Sequence, residues 1–138
     1  MTKKELDHGY YLAQKETAAY RERNARGSRK RRHQLKLFVL THYGLNGRLQ
    51  CCWPDCGVTD LDMLSLDHIN NDGAEHRRQV WGDSRGWGGQ ALYRQVFRNN
   101  FPKTFQTLCC NHQMKKELLR KREVSKTHWQ QAQESSQS

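Results

Sequence analysis

The sequence predicts a small α+β domain, stapled by a metal ion and preceded by a basic helical arm. Three observations predict it. Two Cys/His clusters, Cys51-Cys52-Trp53-Pro54-Asp55-Cys56 and Cys109-Cys110-Asn111-His112, lie far apart in a chain of 138 residues. Each follows or adjoins a short segment with the character of a strand or turn. The hydrophobic fraction is 35%, below the roughly 45–50% of an ordinary globular domain. A core that thin usually needs a metal or disulfides beside it.

The elements are expected in the following order. Residues 1–34 are polar, basic and helix-permissive, an arm that is helical or partly disordered. Residues 34–43 carry Leu37, Phe38 and Leu40 on one side and read as a short helix, with Gly44 suited to its C-terminal cap. The first cluster follows, with Pro54 and Gly57 favouring a sharp turn around Cys56. Residues 61–69 contain the alternating run Leu64-Ser65-Leu66-Asp67, a strand signal closed by the turn cluster Asn70-Asn71-Asp72-Gly73. Residues 81–89 form a glycine-rich loop without the strand–helix context of a nucleotide-binding loop. Residues 90–99 read as a helix with Leu92, Tyr93, Val96 and Phe97 on one side, stopped at Asn99-Asn100-Phe101-Pro102. Residues 104–108 form a second strand, and a last helix runs from about 112 to 123 with Met114, Leu118 and Leu119 inward. The domain spans 35–123, and 124–138 form a flexible polar tail.

The charge is distributed unevenly. Residues 1–36 hold eleven Lys/Arg against four Asp/Glu, residues 37–114 hold seven of each, and residues 115–138 hold six against three. Basic flanks around a neutral body suit a phosphate-bearing partner, and duplex DNA is the expected one. Arg29-Lys30-Arg31-Arg32 is the densest cluster and the first candidate contact. Nothing approaches the roughly 20 apolar residues of a membrane span. The polar Met1–Asp7 lacks a secretory core, so a cytoplasmic setting is expected. There, closely spaced cysteines act as metal ligands more often than as disulfides.

Zinc takes four N/S ligands, commonly as two close pairs. Cys109 and His112 make one such pair. The other is Cys51 with Cys56, or Cys52 with Cys56. A second register, with Cys110 on zinc and His112 on a catalytic metal, spoils the two-residue spacing within the second cluster.

Together, the Cys-x4-Cys-Gly knuckle, Leu66-Asp67-His68-Ile69-Asn70, and Phe105-Gln106-Thr107-Leu108-Cys109-x2-His112 with Lys115-Lys116 after it resemble the phage-type HNH endonucleases. The resemblance covers roughly residues 35–117. It implies a ββα-metal, treble-clef-like unit built from the two strands and the last helix. It implies a structural Zn²⁺ on Cys51, Cys56, Cys109 and His112, with Cys51 favoured by the preceding Leu49-Gln50 step. It implies His68 as general base and Asp67 as ligand of a catalytic Mg²⁺ or Mn²⁺. A neutral imidazole can take a proton from water near neutral pH, and a carboxylate oxygen suits a hard cation. Adjacent strand residues point to opposite faces, so both can serve one site only if the chain leaves the ladder at Asp67.

The chain departs from the family pattern at two places. Gln113 stands where the family carries a second metal-binding His or Asn, and Thr104 stands near the middle Asn. His76-Arg77 matches a His-Arg step of the family, so His76, Arg77 and Arg78 join Lys115 and Lys116 as candidate DNA contacts. Trp53, Trp81 and Trp87 either stack on bases or cover the core. A monomer with one site is expected to nick one strand, a homodimer to cut two. The alternative is a zinc-stabilised DNA-binding module with weak or lost catalysis.

Overall fold

The computed structural model describes residues 1–82 and 89–136. The chain divides into two units, Met1–Lys36 and Leu37–Ser138.

The first unit holds α1 (Lys3–Gln14) and most of α2 (Ala18–His42). Helix α1 starts at a reciprocal cap: Glu5 N–H donates to Thr2 Oγ1 at 3.2 Å, and Thr2 N–H donates to Glu5 Oε2 at 2.6 Å. Tyr20 N–H donates to Thr17 Oγ1 at the start of α2. Helix α1 buries no residue. Such a helix is held by local bonds such as its cap, and on α2 Glu22 accepts from Arg29 two turns on at 3.2 Å. The segment read as a basic arm holds α1 and the first part of α2.

In the second unit α2 continues to His42, so the short helix expected at 34–43 is the end of a longer one. Gly44 has φ −75°, and it does not close α2 in a left-handed cap as expected. It is glycine because a Cβ there would lie 1.6 Å from the Arg48 carbonyl oxygen. The chain next makes the knuckle around Cys51–Val58, a 3₁₀ turn at Leu61–Met63, and β1 (Leu64–His68). Helices α3 (Gly73–Trp81) and α4 (Gly89–Arg98) follow, then β2 (Phe105–Cys109) and α5 (Cys110–Ser136). The expected glycine-rich loop, including Trp87, falls largely outside the described residues.

Strands β1 and β2 pair antiparallel, with Leu64 opposite Cys109, Leu66 opposite Thr107, Asp67 opposite Gln106 and His68 opposite Phe105. One face therefore carries Leu64, Leu66, His68, Phe105, Thr107 and Cys109. The other carries Ser65, Asp67, Gln106 and Leu108. The pairing continues past His68, because Ile69 N–H donates to Thr104 O at 3.0 Å. The chain does not leave the ladder at Asp67.

The buried hydrophobic residues are Val39, Leu40, Cys51, Leu64, Tyr93, Val96, Phe105, Leu108 and Cys109. Fully buried Thr107 joins three segments. Its hydroxyl donates to Leu40 O at 2.8 Å, its N–H to Tyr43 O at 3.1 Å, and its carbonyl accepts from Cys52 N–H at 2.8 Å. These bonds satisfy carbonyls at the end of α2 that have no partner within the helix. Thr107→Val is nearly isosteric and leaves Leu40 O without its hydroxyl partner. It is expected to cost about 1–3 kcal/mol, read as a lowered midpoint in urea unfolding.

Helix α4 ends in a left-handed cap at Asn100 (φ 58°), with Phe101 N–H returning to Val96 O. Its expected inward side is only partly so: Tyr93 and Val96 are buried, while Phe97 is exposed. Helix α5 differs more. Residues 124–136, expected as a flexible tail, continue the helix to Ser136. Met114, Leu118 and Leu119, expected inward, are 68%, 44% and 42% exposed. The side chains that α5 lays on β1 are polar ones, Gln113 and Lys116. Among the described residues no helix is long and apolar enough to cross a membrane.

Candidate functional site

The two Cys/His clusters converge. Cys51 and Cys56 come from the knuckle, Cys109 ends β2, and His112 lies in the first turn of α5. Cys56 N–H donates to Trp53 O at 3.1 Å and Cys51 N–H to Val58 O at 2.9 Å. Asp55 (φ 62°) and Gly57 (φ 72°) supply the left-handed backbone of this turn. The four ligand atoms lie within 4.8 Å of one another. Cys56 Sγ is 3.7 Å from Cys109 Sγ, and His112 Nδ1 is 3.2 Å from Cys109 Sγ and 3.8 Å from Cys51 Sγ. Tetrahedral zinc with Zn–S of about 2.3 Å has S–S edges of about 3.8 Å. The set can therefore hold a metal ion such as zinc.

The structure answers which cysteines belong. Cys51 is in the cluster, and Cys52 instead turns its thiol to Tyr43 O at 3.1 Å. Cys110 is exposed, so the register that places it on zinc is not the one observed. Replacing Cys52 or Cys110 with serine is expected to leave the bound metal unchanged, whereas Cys51→Ser lowers it. Metal content per chain after purification without chelator checks this.

Burial pushes the Cys51 thiol up to about 11, against the pull of the Cys109 and Trp53 backbone N–H groups. At Cys109 burial also opposes ionisation. There the N–H of His112 and the thiols of Cys56 and Cys51 outweigh it and hold the group below its ordinary value. Trp53 lies flat on the His112 ring, with centroids 4.7 Å apart and planes at 9°. Its role is to cover a ligand, which decides for Trp53 the choice the sequence left open. The Trp81 side chain lies outside what the structure describes.

At the end of the hairpin away from Cys109, which pairs with Leu64, Asp67 and His68 occupy the end of β1 and face opposite ways. His68 Nε2 is 3.1 Å from His76 Nδ1, and its ring lies 4.7 Å from Phe105. His76 is on α3, a helix the sequence reading did not place, and it also packs on Phe105. On the other face Asp67 Oδ2 accepts from Lys116 Nζ at 2.6 Å and from Gln106 Nε2 at 3.0 Å. Lys116 also donates to His68 O. Gln113 donates to Ser65 Oγ.

The remaining candidates scatter. Arg29, Lys30, Arg31 and Arg32 are exposed on α2 in the first unit. Arg78 is exposed and paired with Glu75 at 3.2 Å. Lys115 is exposed on α5, while Lys116 points inward to Asp67. Arg77 lies on α3, and its side chain lies outside what the structure describes. Sequence reasoning missed Lys116 as a partner of Asp67, and Gln106 and Phe105 as neighbours of the pair. The available signal was the three-residue spacing of Gln113 and Lys116, which puts both on one helix face. The chain matches no protein-family model, no curated protein and no solved structure, so the geometry of these residues carries the functional argument.

Proposed function

We propose that the chain is a DNA endonuclease of the HNH type, with residues 37–123 forming a zinc-stapled ββα-metal unit. One observation carries the reading. The Cys/His cluster joins β2 to α5, and β1, paired to β2, ends in Asp67-His68. A candidate base and a candidate carboxylate ligand thus stand at the end of a strand–strand–helix unit that its own ligand cluster holds together.

His68 takes a proton from the attacking water, whose oxygen forms a bond to phosphorus as the bond to the 3′ oxygen breaks. The products carry 5′-phosphate and 3′-hydroxyl ends. The hydrogen bond to His76 couples the tautomers of the two rings; when His68 Nε2 is the donor, its lone pair is on Nδ1. Phe105 limits how the ring can turn. Asp67 and the Gln113 amide would hold a Mg²⁺ or Mn²⁺ ion. One carboxylate and one amide match the sparse protein share of such a site, in which water and phosphate oxygens complete the shell. The ion, when bound, supplies charge stabilisation at phosphorus and the leaving oxygen. The departure from the ladder expected at Asp67 does not occur, since pairing runs on to Ile69; with Asp67 and His68 on opposite faces, a phosphate meets both only by reaching around the end of the hairpin. Arg29–Arg32 and the other exposed cations supply sequence-independent grip on duplex DNA.

The test is nicking of supercoiled plasmid by the zinc-loaded chain with Mg²⁺ or Mn²⁺. One specific observation favours a second reading, a zinc-stabilised DNA-binding module without turnover: Asp67 is engaged by Lys116, and Gln113 by Ser65. Intact plasmid under every divalent ion, together with retained DNA binding, would select that reading.

A further inference from the structure

The Asp67–Lys116 pair is the most enclosed ion pair among the described residues. Its side chains are 19% and 16% exposed, whereas the members of every other such pair are at least 41% exposed. At that depth the attraction is screened far less than on a wet surface. The ammonium makes two directed bonds, one to Asp67 Oδ2 and one to the His68 carbonyl. The same oxygen also accepts from Gln106 across the strands. Two donors therefore converge on one carboxylate oxygen, and a divalent cation reaching for it meets a positive charge at 2.6 Å. Gln113, the other candidate ligand, donates to Ser65 Oγ through its amide nitrogen, a bond that leaves the candidate ligand oxygen unengaged by Ser65.

We infer that Lys116 is a resident counter-cation that keeps Asp67 from binding a divalent ion in the free protein, and that a DNA phosphate releases it. The inference rests on Asp67 being the divalent ligand of the function proposed above. Its physical basis is competition between like charges for one carboxylate. The ammonium has a third donor beyond the two bonds described, and its flexible stem can carry it a few ångströms toward an incoming phosphate. A phosphodiester brought to His68 arrives at the strand end where that ammonium sits. Once Lys116 serves the phosphate, Asp67 is left to the metal. Linkage then requires that DNA and the divalent ion each strengthen the binding of the other by the same factor.

The test is Mn²⁺ binding to the zinc-loaded full chain, read from the electron paramagnetic resonance signal of free Mn²⁺. Lys116→Met and Lys116→Gln are expected to bind Mn²⁺ at least tenfold more tightly than the unmodified chain. Lys116→Arg, which keeps the charge, stays near it. Adding Asp67→Asn to Lys116→Met removes the gain. Zinc content and circular dichroism establish that each variant is folded. In a His68→Ala background, which keeps the DNA intact, a short duplex is expected to tighten Mn²⁺ binding beyond that of the duplex alone, and Lys116→Met removes this increment. Equal or weaker Mn²⁺ binding by both neutral variants, including no measurable binding by any form, overturns the inference. A duplex that gives no increment overturns the role of phosphate as the release. A chain that binds Mn²⁺ as expected and still does not nick plasmid would fail as a nuclease while this inference stands.

Discussion

Chelation of the metal is expected to abolish cooperative folding of residues 37–138. Among the described residues nine hydrophobic side chains are buried, and two of them, Cys51 and Cys109, also belong to the cluster that could hold the metal. Zinc binding contributes apparent free energies of about 10–16 kcal/mol at such sites, as large as the whole stability of a typical domain at about 5–15 kcal/mol. Without the ion, the knuckle retains few ties to β2, chiefly the Cys52–Thr107 backbone bond and the Cys109 N–H to Cys51 Sγ contact. Thermal melts followed by near-ultraviolet circular dichroism, with and without a strong chelator, check this. Cys109→Ser is expected to behave like the chelated protein. A chelated chain that kept the native transition would show that the apolar core suffices.

The same site predicts a pH dependence. Zinc binds thiolate, so each protonated ligand thiol must release a proton on binding. In the unfolded metal-free chain Cys51 has the ordinary thiol value of about 8.5 and is mostly protonated between pH 6 and 8; where the fold persists, burial holds it higher still, near 11. Metal affinity should rise with pH across that window, by about tenfold per pH unit for this one thiol. Acidification should release the metal before it unfolds a chain whose stability came from packing alone.

What the sequence reveals of this molecule follows from the range of the interactions. The ligand pairs are legible because metal chemistry demands two close pairs, and three of the four ligands were fixed by spacing alone. Cys51 over Cys52 was not, since both spacings fit a knuckle. The choice is made by Cys52 reaching Tyr43 O, a contact to the end of α2. Strands β1 and β2 are legible from two-residue alternation, and their ends shift by one residue at most. Helix α5 differs from expectation because Met114, Leu118 and Leu119 have inward spacing and yet stay exposed. Periodicity reports which residues share a face, not whether anything covers it. The His68–His76 and Asp67–Lys116 pairs join residues of different elements. Helical spacing puts Lys116 on the face of Gln113, but no period or composition names the residue of another element that it meets.

Removal of the imidazole at position 68 is expected to lower the nicking rate by about 10²–10⁴, the usual contribution of a positioned general base. DNA affinity at fixed salt should change little, because the exposed cations proposed to grip phosphate, Arg29–Arg32 first among them, lie elsewhere on the chain. Nicking assays on His68→Ala beside electrophoretic binding assays separate the two quantities. The geometry also sets an order among neighbours. His76→Ala removes the partner at 3.1 Å that orients His68, so it should cost less than loss of the base itself and more than a surface change such as Arg78→Ala, whose partner Glu75 is equally exposed. Asp67→Asn should act differently. It weakens the divalent ion's hold and the tie to Lys116 together, so part of its loss should be recovered by raising Mn²⁺, whereas no divalent concentration restores a proton acceptor at position 68. Activity that survives His68→Ala would take the role of base away from His68, and activity that also survives the double change with His76→Ala, which removes the neighbouring imidazole at 3.1 Å, would place the chemistry outside the strand end.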